Sequence, residues 1–112
     1  MTCYVDDMKA QFGSMVMCHL VADSHEELLA MATTIGVDHK WIQKAGTARE
    51  HFDIALSKRA LAVKAGAKEI TWKQLGAMCC MRARVGELGT PHDAIERYAA
   101  WRAANDFSDL AG

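Results

Sequence analysis

The sequence predicts a single α/β domain spanning residues 1–112, in which about four helices pack on a small, partly parallel sheet. Three observations predict it. Val16-Met-Cys-His-Leu-Val21 is a nearly continuous apolar run of strand length, the pattern of a strand buried on both faces. Ser24-His-Glu-Glu27 and Thr71-Trp-Lys-Gln74 are capping-box signals that open helices. Short β-forming stretches alternate with the helical segments, as they do where strands are joined by helical crossovers.

In chain order, residues 2–6 form the first strand and end on two carboxylates, Asp6 and Asp7. Met8 to Ser14 reads as a loop containing Gly13, and residues 16–22 form the second strand. A helix over 24–35 carries Leu28, Met31, Ala32 and Ile35 at i, i+3, i+4 and i+7, with Gly36 as its left-handed stop. Lys40 to Lys44 suits a short strand, followed by the Ala45-Gly-Thr47 loop and an extended piece at His51–Ile54. Ser57 is placed to cap a helix running to Ala65, which Gly66 ends, and residues 68–70 make a brief strand. The helix over 71–84 presents Leu75, Met78, Cys79 and Arg82 on one face. A last helix over 90–104 has Pro91 in its first turn, where the missing N–H costs nothing, and residues 105–112 read as a flexible tail.

Composition narrows the function. Thirteen Lys and Arg against fourteen Asp and Glu leave a formal charge of −1, so no global field draws this chain onto duplex nucleic acid or an anionic membrane. No apolar stretch approaches the roughly 20 residues of a membrane span, and the N-terminus has no secretory signal pattern. Cys3, Cys18, Cys79 and Cys80 show no C-x-x-C spacing, so they are expected as free thiols in a reducing, cytoplasmic setting. The Gly-rich phosphate loop, the dinucleotide fingerprint, the H-E-x-x-H zinc motif and the G-x-S-x-G elbow do not occur.

The strings Tyr4-Val-Asp-Asp-Met8, Met17-Cys-His-Leu-Val-Ala-Asp23, His51-Phe-Asp-Ile54 and Ser57-Lys-Arg-Ala-Leu-Ala-Val63 carry a family resemblance, with Trp41, Gln43 and the Gly66-Ala67 helix exit consistent with it. Together they resemble a small group of bacterial and phage proteins catalogued as domain of unknown function 4031. The resemblance covers roughly residues 3 to 71. It implies a cytoplasmic protein and brings no activity with it.

Candidate chemistry therefore rests on the residues. Asp6 and Asp7 end a strand, where ligands of α/β sheets gather, so they are candidates for proton or metal work; the alternative is that they solvate and cap a turn. His51 and Asp53, two apart in an extended segment, share a face and form a general-base pair or part of a metal shell, unless that face is simply solvated. Ser57, Lys58 and Arg59 follow at a helix N-terminus, where two cations oppose the macrodipole by about 0.3–1 kcal/mol each; an anion held there resolves the conflict, as does pairing with acids such as Glu50. His19 lies within an apolar strand, as a hydrogen-bonded core or edge residue or as a ligand-lining one. Trp41 and Gln43 offer a stacking face and an amide to a ligand, or Trp41 is buried core.

Two functions follow. The first is binding of a phosphate-bearing ligand, a nucleotide or nucleic-acid end. Lys58 and Arg59 clamp the phosphate, while His51 and Asp53 with Asp6 or Asp7 act on it, directly or through a divalent metal ion, as a phosphoesterase. The alternative is a non-enzymatic accessory or interaction protein, oligomeric or docking through its last two helices. The sequence leaves the oligomeric state open.

Overall fold

The computed structural model describes residues 2–105. Eleven elements follow one another: β1 (Cys3–Val5), β2 (Ala10–Phe12), β3 (Met15–Ala22), α1 (His25–Ile35), a 3₁₀ turn (His39–Trp41), β4 (Phe52–Ala55), α2 (Leu56–Lys64), β5 (Lys68–Glu69), α3 (Trp72–Val85), a second 3₁₀ turn (Pro91–Asp93) and α4 (Ala94–Asn105). The α/β class is as the sequence predicts. Of the expected tail, Asn105 ends α4 and 106–112 lie outside the described residues.

β3 is the spine of the sheet. One edge pairs antiparallel with β1 through its second half and with β2 through its first half, and the other edge pairs antiparallel with β4. Among the described residues the single parallel pair is β1 with β5, joined by the long crossover through α1 and α2. Alternation along the strands divides the interior in two. Cys3, Val5, Leu20, Ala22, Phe52 and Ile54 pack against Leu28, Ala32 and Ile35 of α1 and Ala62 of α2. Tyr4 and Val21 face the other way, against Ala77, Met78 and Cys79 of α3 and Ala94 of α4. The sheet thus has α1 and α2 on one side and α3 with α4 on the other.

The caps work largely as their sequences dictate. Thr71 Oγ1 accepts from the Gln74 N–H while Gln74 Oε1 accepts from the Thr71 N–H, a complete capping box. Ser24 Oγ accepts from the Glu27 N–H, but Glu27 receives the Ser24 hydroxyl rather than the backbone N–H, so that box is half made. Gly36 and Gly86 close α1 and α3 in the left-handed conformation. The last helix starts with a 3₁₀ turn at Pro91, and its α-helical part begins only at Ala94.

Three local expectations are corrected. The segment Met8–Ser14 is not wholly loop: Ala10–Phe12 pair with Met15–Met17 around a two-residue Gly13-Ser14 turn, with Gly13 at φ +62°. Lys40–Lys44 is not a strand but the end of a 3₁₀ turn and a lone bridge from Gln43 to His51. Ser57 does not cap α2. The helix begins directly on β4, its N-cap is Ala55 with no side-chain hydrogen bond, and Ser57 is its second residue. The four thiols are free, three of them buried, and burial beside Glu27 and Asp23 pushes Cys3 up to about 11.

Candidate metal centre

The β3–β4 register sets His19 directly opposite Asp53, and on the other side of His19 the chain leaves β1 at Asp6. Asp6 makes one more ladder bond, its N–H to the His19 carbonyl at 3.1 Å, and then turns away. Its carboxylate takes over as acceptor. Oδ1 receives the backbone N–H of His19 at 2.8 Å and of Met8 at 3.4 Å, while Oδ2 receives His19 Nδ1 at 2.7 Å. Asp6 is fully buried, so this saturation is what makes its charge tolerable there. Burial alone would raise its pKa, but the bonds from the His19 ring and backbone and from Met8 outweigh it and hold the carboxyl below the usual range. The same bond raises the His19 imidazole above its ordinary value, against burial, with the charges of Asp6 and Asp53 assisting.

His51 reaches the same place from the start of β4. A tight loop between Gln43 and His51 is closed by the paired bonds Gln43 N–H to His51 O at 2.8 Å and His51 N–H to Gln43 O at 3.1 Å. Within it Lys44 sits at φ +54°, a conformation sparsely populated by residues with a side chain, and Gly46 at φ +77°. Buried Glu50 braces the loop by accepting from the Gly46 N–H and bonding His25 Nδ1, each at 3.0 Å. His51 Nδ1 donates to the Arg49 carbonyl at 2.7 Å.

These partners fix both tautomers. An ionised carboxylate and a carbonyl can only accept, so the Nδ1 of each imidazole carries the proton and each Nε2, when the ring is neutral, presents a lone pair. Both Nε2 atoms point at one oxygen, Asp53 Oδ1, at 3.6 Å from His19 and 3.4 Å from His51. Asp53 Oδ2 is held by the Gln43 side-chain amide at 2.5 Å. The rings meet edge to face with centroids 5.2 Å apart. The Nε2–Oδ1 separations are too long for hydrogen bonds, yet they suit a shared ion. Donors about 2.1 Å from one ion lie roughly 3.0 Å apart at right angles and roughly 3.4 Å apart at the tetrahedral angle. The three donor atoms lie within 4.8 Å of one another, and each donor side chain is already oriented by a second hydrogen bond, the usual outer-shell arrangement of metal ligands. Two imidazoles and a carboxylate suit Zn²⁺, Mn²⁺ or Fe²⁺.

The cluster lies between two cavities. One, of about 240 Å³, is lined by His19 and His51, by Lys44 and Arg49 of the loop, and by Leu75, Cys79 and Cys80 of α3. The other, of about 780 Å³, lies beyond Asp53 and is lined by Trp41, Gln43, Ser57 and Lys58.

Of the residues proposed from sequence, the structure brings Asp6, His19, His51, Asp53 and Gln43 together. It does not bring in Asp7, which is exposed and whose Oδ1 accepts the Trp72 N–H of α3 at 2.7 Å. Lys58 and Arg59 do not form a pair of clamps. Lys58 faces the larger cavity, whereas Arg59 donates to the Asp6 carbonyl at 2.8 Å and pairs with Glu69 at 2.9 Å. The acid that Arg59 meets is Glu69 and not Glu50. Trp41 is exposed rather than core. Lys44 and Arg49 escaped notice because nothing in a loop sequence marks which cavity it will border. His19 carries a visible signal of its own, a titratable ring inside an apolar strand.

Fold and site together define a class: a small mixed α/β domain with a two-histidine, one-carboxylate donor set on the face of its sheet. The chain belongs to the family described as protein of unknown function (DUF4031), whose model matches residues 3–83. The match runs through β1 to most of α3 and so contains every residue of the cluster. No curated protein and no solved structure matches the chain. Among the described residues, no helix is long and apolar enough to cross a membrane.

Proposed function

We propose that this protein is a divalent-metal-dependent phosphoesterase whose ion is held by His19 Nε2, His51 Nε2 and Asp53 Oδ1. The observation that carries the reading is the convergence of two tautomer-fixed imidazoles on one carboxylate oxygen at ion-sharing distances. Asp6 and the Arg49 carbonyl are positioning groups that keep each Nε2 free. Lys44 and Arg49 support the choice of an anionic substrate, since both basic residues line the cavity that the imidazoles border.

Phosphoryl transfer to water needs positioning and charge neutralisation more than covalent chemistry from the protein. An ion held by His19, His51 and Asp53 would supply an acidified water and a Lewis acid for a phosphoryl oxygen, and Lys44 and Arg49 would offset charge on the other oxygens. The water oxygen bonds to phosphorus, the ester P–O bond breaks with its electron pair leaving on the alcohol oxygen, and the proton released by water ends on that oxygen.

The test uses chelator-treated protein titrated calorimetrically with Mn²⁺ and Zn²⁺, followed by hydrolysis of bis(p-nitrophenyl) phosphate. One ion per chain is expected, with affinity falling at least about 100-fold in His51→Ala and Asp53→Asn, and metal-dependent turnover lost in both. Wild-type protein that binds neither ion, or variants that bind as tightly as wild type, would overturn the reading in favour of a non-enzymatic accessory role.

A further inference from the structure

We infer that the site takes a nucleotide, with the base stacked on Trp41 and the phosphate directed past Lys58 toward Asp53; this rests on the metal-centre reading above. The larger cavity, about 780 Å³, is of the size that holds a small ligand, and Asp53 is on its wall as well as in the donor set. A molecule lying there has one end at the proposed ion.

The cavity's chemistry selects the molecule. Trp41 is 64% exposed, yet its backbone is firmly held. Asp38 caps the 3₁₀ turn by accepting the Lys40 N–H at 2.9 Å, and His39 Nε2 lies 2.8 Å from Thr33 Oγ1 and 3.0 Å from the Leu29 carbonyl of α1. A large flat ring on a cavity wall, carried by a braced turn and with one face under Lys40 Nζ, offers its other face as a stacking platform for another flat ring. Met15 and Met17 supply adaptable apolar wall for the other face of a base. Two ammonium groups border the platform: Lys40 Nζ, 5.2 Å from the Trp41 ring centroid, and Lys58 in the cavity wall. Gln43 donates to Asp53 through Nε2, leaving its amide oxygen as an acceptor for a base edge. An aromatic heterocycle joined to a phosphate satisfies this set, whereas a sugar phosphate leaves the ring bare. One platform and a net charge of −1 match one nucleotide unit, not a long strand held by a basic track.

The test titrates adenosine 5′-monophosphate and ribose 5-phosphate into wild type, Trp41→Ala, Trp41→Phe and Lys58→Ala, with and without Mn²⁺, after circular dichroism has checked the fold of each. The nucleotide is expected to bind wild type at least about tenfold tighter than the sugar phosphate. Trp41→Ala is expected to remove that difference, Trp41→Phe to keep most of it, and Lys58→Ala to weaken both compounds alike. Equal affinity of wild type for the two compounds, or a Trp41→Ala variant that still prefers the nucleotide, overturns the inference. So does concentration-dependent self-association abolished by Trp41→Ala, which assigns the platform to a second copy of the chain. None of these variants touches the donor set, so a failure of metal binding in His51→Ala or wild type is read separately.

Discussion

Replacing Asp6 by Asn removes a charge and almost no volume, and the structure dictates which way the new amide points. The Asp6 Oδ1 position faces two backbone donors, the N–H groups of His19 and Met8, so the amide oxygen must remain there. The amide NH₂ then occupies the Oδ2 position, 2.7 Å from His19 Nδ1. A donor facing a donor is intolerable at that distance, so His19 moves its proton from Nδ1 to Nε2 and accepts from the amide instead. That proton lies where the ion's bond to His19 would form.

Loss of such an outer-shell partner typically lowers metal affinity by about 10–100-fold, or roughly 1.4–2.7 kcal/mol. Stability falls by a comparable amount, about 1.5–3 kcal/mol for one hydrogen bond to a charged group, within what a domain holding roughly 5–15 kcal/mol tolerates. The assay is calorimetric titration with Mn²⁺ on folded Asp6→Asn protein, paired with ¹⁵N shifts of the His19 ring, which report which nitrogen carries the proton. A variant with the proton moved to Nε2 and undiminished ion affinity would refute the reasoning, because His19 could then not be a ligand through that atom.

Three further outcomes are expected. In chelated protein, stability measured by urea unfolding declines at both ends of the pH range: Asp6, held below its unfolded value near ~3.9, loses its contribution as pH falls through its folded pKa, and His19, raised above ~6.5, loses its ionic share as pH rises through its own; Asp6→Asn abolishes the acid limb and shrinks the alkaline one to the share that Asp53 contributes. Arg59→Ala lowers stability by about 1–2 kcal/mol, mostly through the lost bond to the buried Asp6 carbonyl since Glu69 is well exposed, whereas Lys58→Ala stays within about 0.5 kcal/mol in the same denaturation assay. Mn²⁺ at 100 times its dissociation constant stabilises wild type by about 2.7 kcal/mol, seen as a rise in melting temperature that His51→Ala lacks.

How much of this was legible follows the range of the interactions. The capping box at Thr71 and the glycine stops are local, a few residues read together, and they recur in the structure as written. His51 and Asp53 were legible as a pair because extended backbone fixes i and i+2 on one face. The hairpin at Gly13-Ser14 escapes a sequence reading because β2 is only three residues of mixed character, held by pairing with β3 rather than by its own propensity. Ser57 misled for a related reason: a hydroxyl at the start of a helical pattern is a good cap in isolation, but β4 runs straight into α2 and leaves Ala55 in that position. The link from His19 to Asp53 depends on a strand register spanning 34 positions, and the link to Asp6 on where β1 leaves the ladder. Neither is written in any local window.

The placement of Asp6 and His19 also bears on why the cluster exists. A buried carboxylate paired with an imidazole gains little over two well-packed apolar side chains of similar volume, and such replacements are often neutral or stabilising. Tyr4 and Val21, on the same face of the sheet, make the apolar solution that stability alone favours, packing against Met78 and Ala77 of α3. At Asp6 and His19 the sheet departs from that solution while satisfying every polar atom of the carboxylate, and it does so beside an open cavity with two cations on its wall. Local departures from the packing rule that are this fully supported belong where a ligand must be held in one geometry. Arg59 fits the same logic from the opposite side of the chain: by anchoring the Asp6 carbonyl, it fixes the backbone from which the carboxylate reaches His19. The cation expected to grip phosphate thus meets the site through the peptide frame, leaving Lys44, Arg49 and Lys58 as the basic residues that line its two cavities.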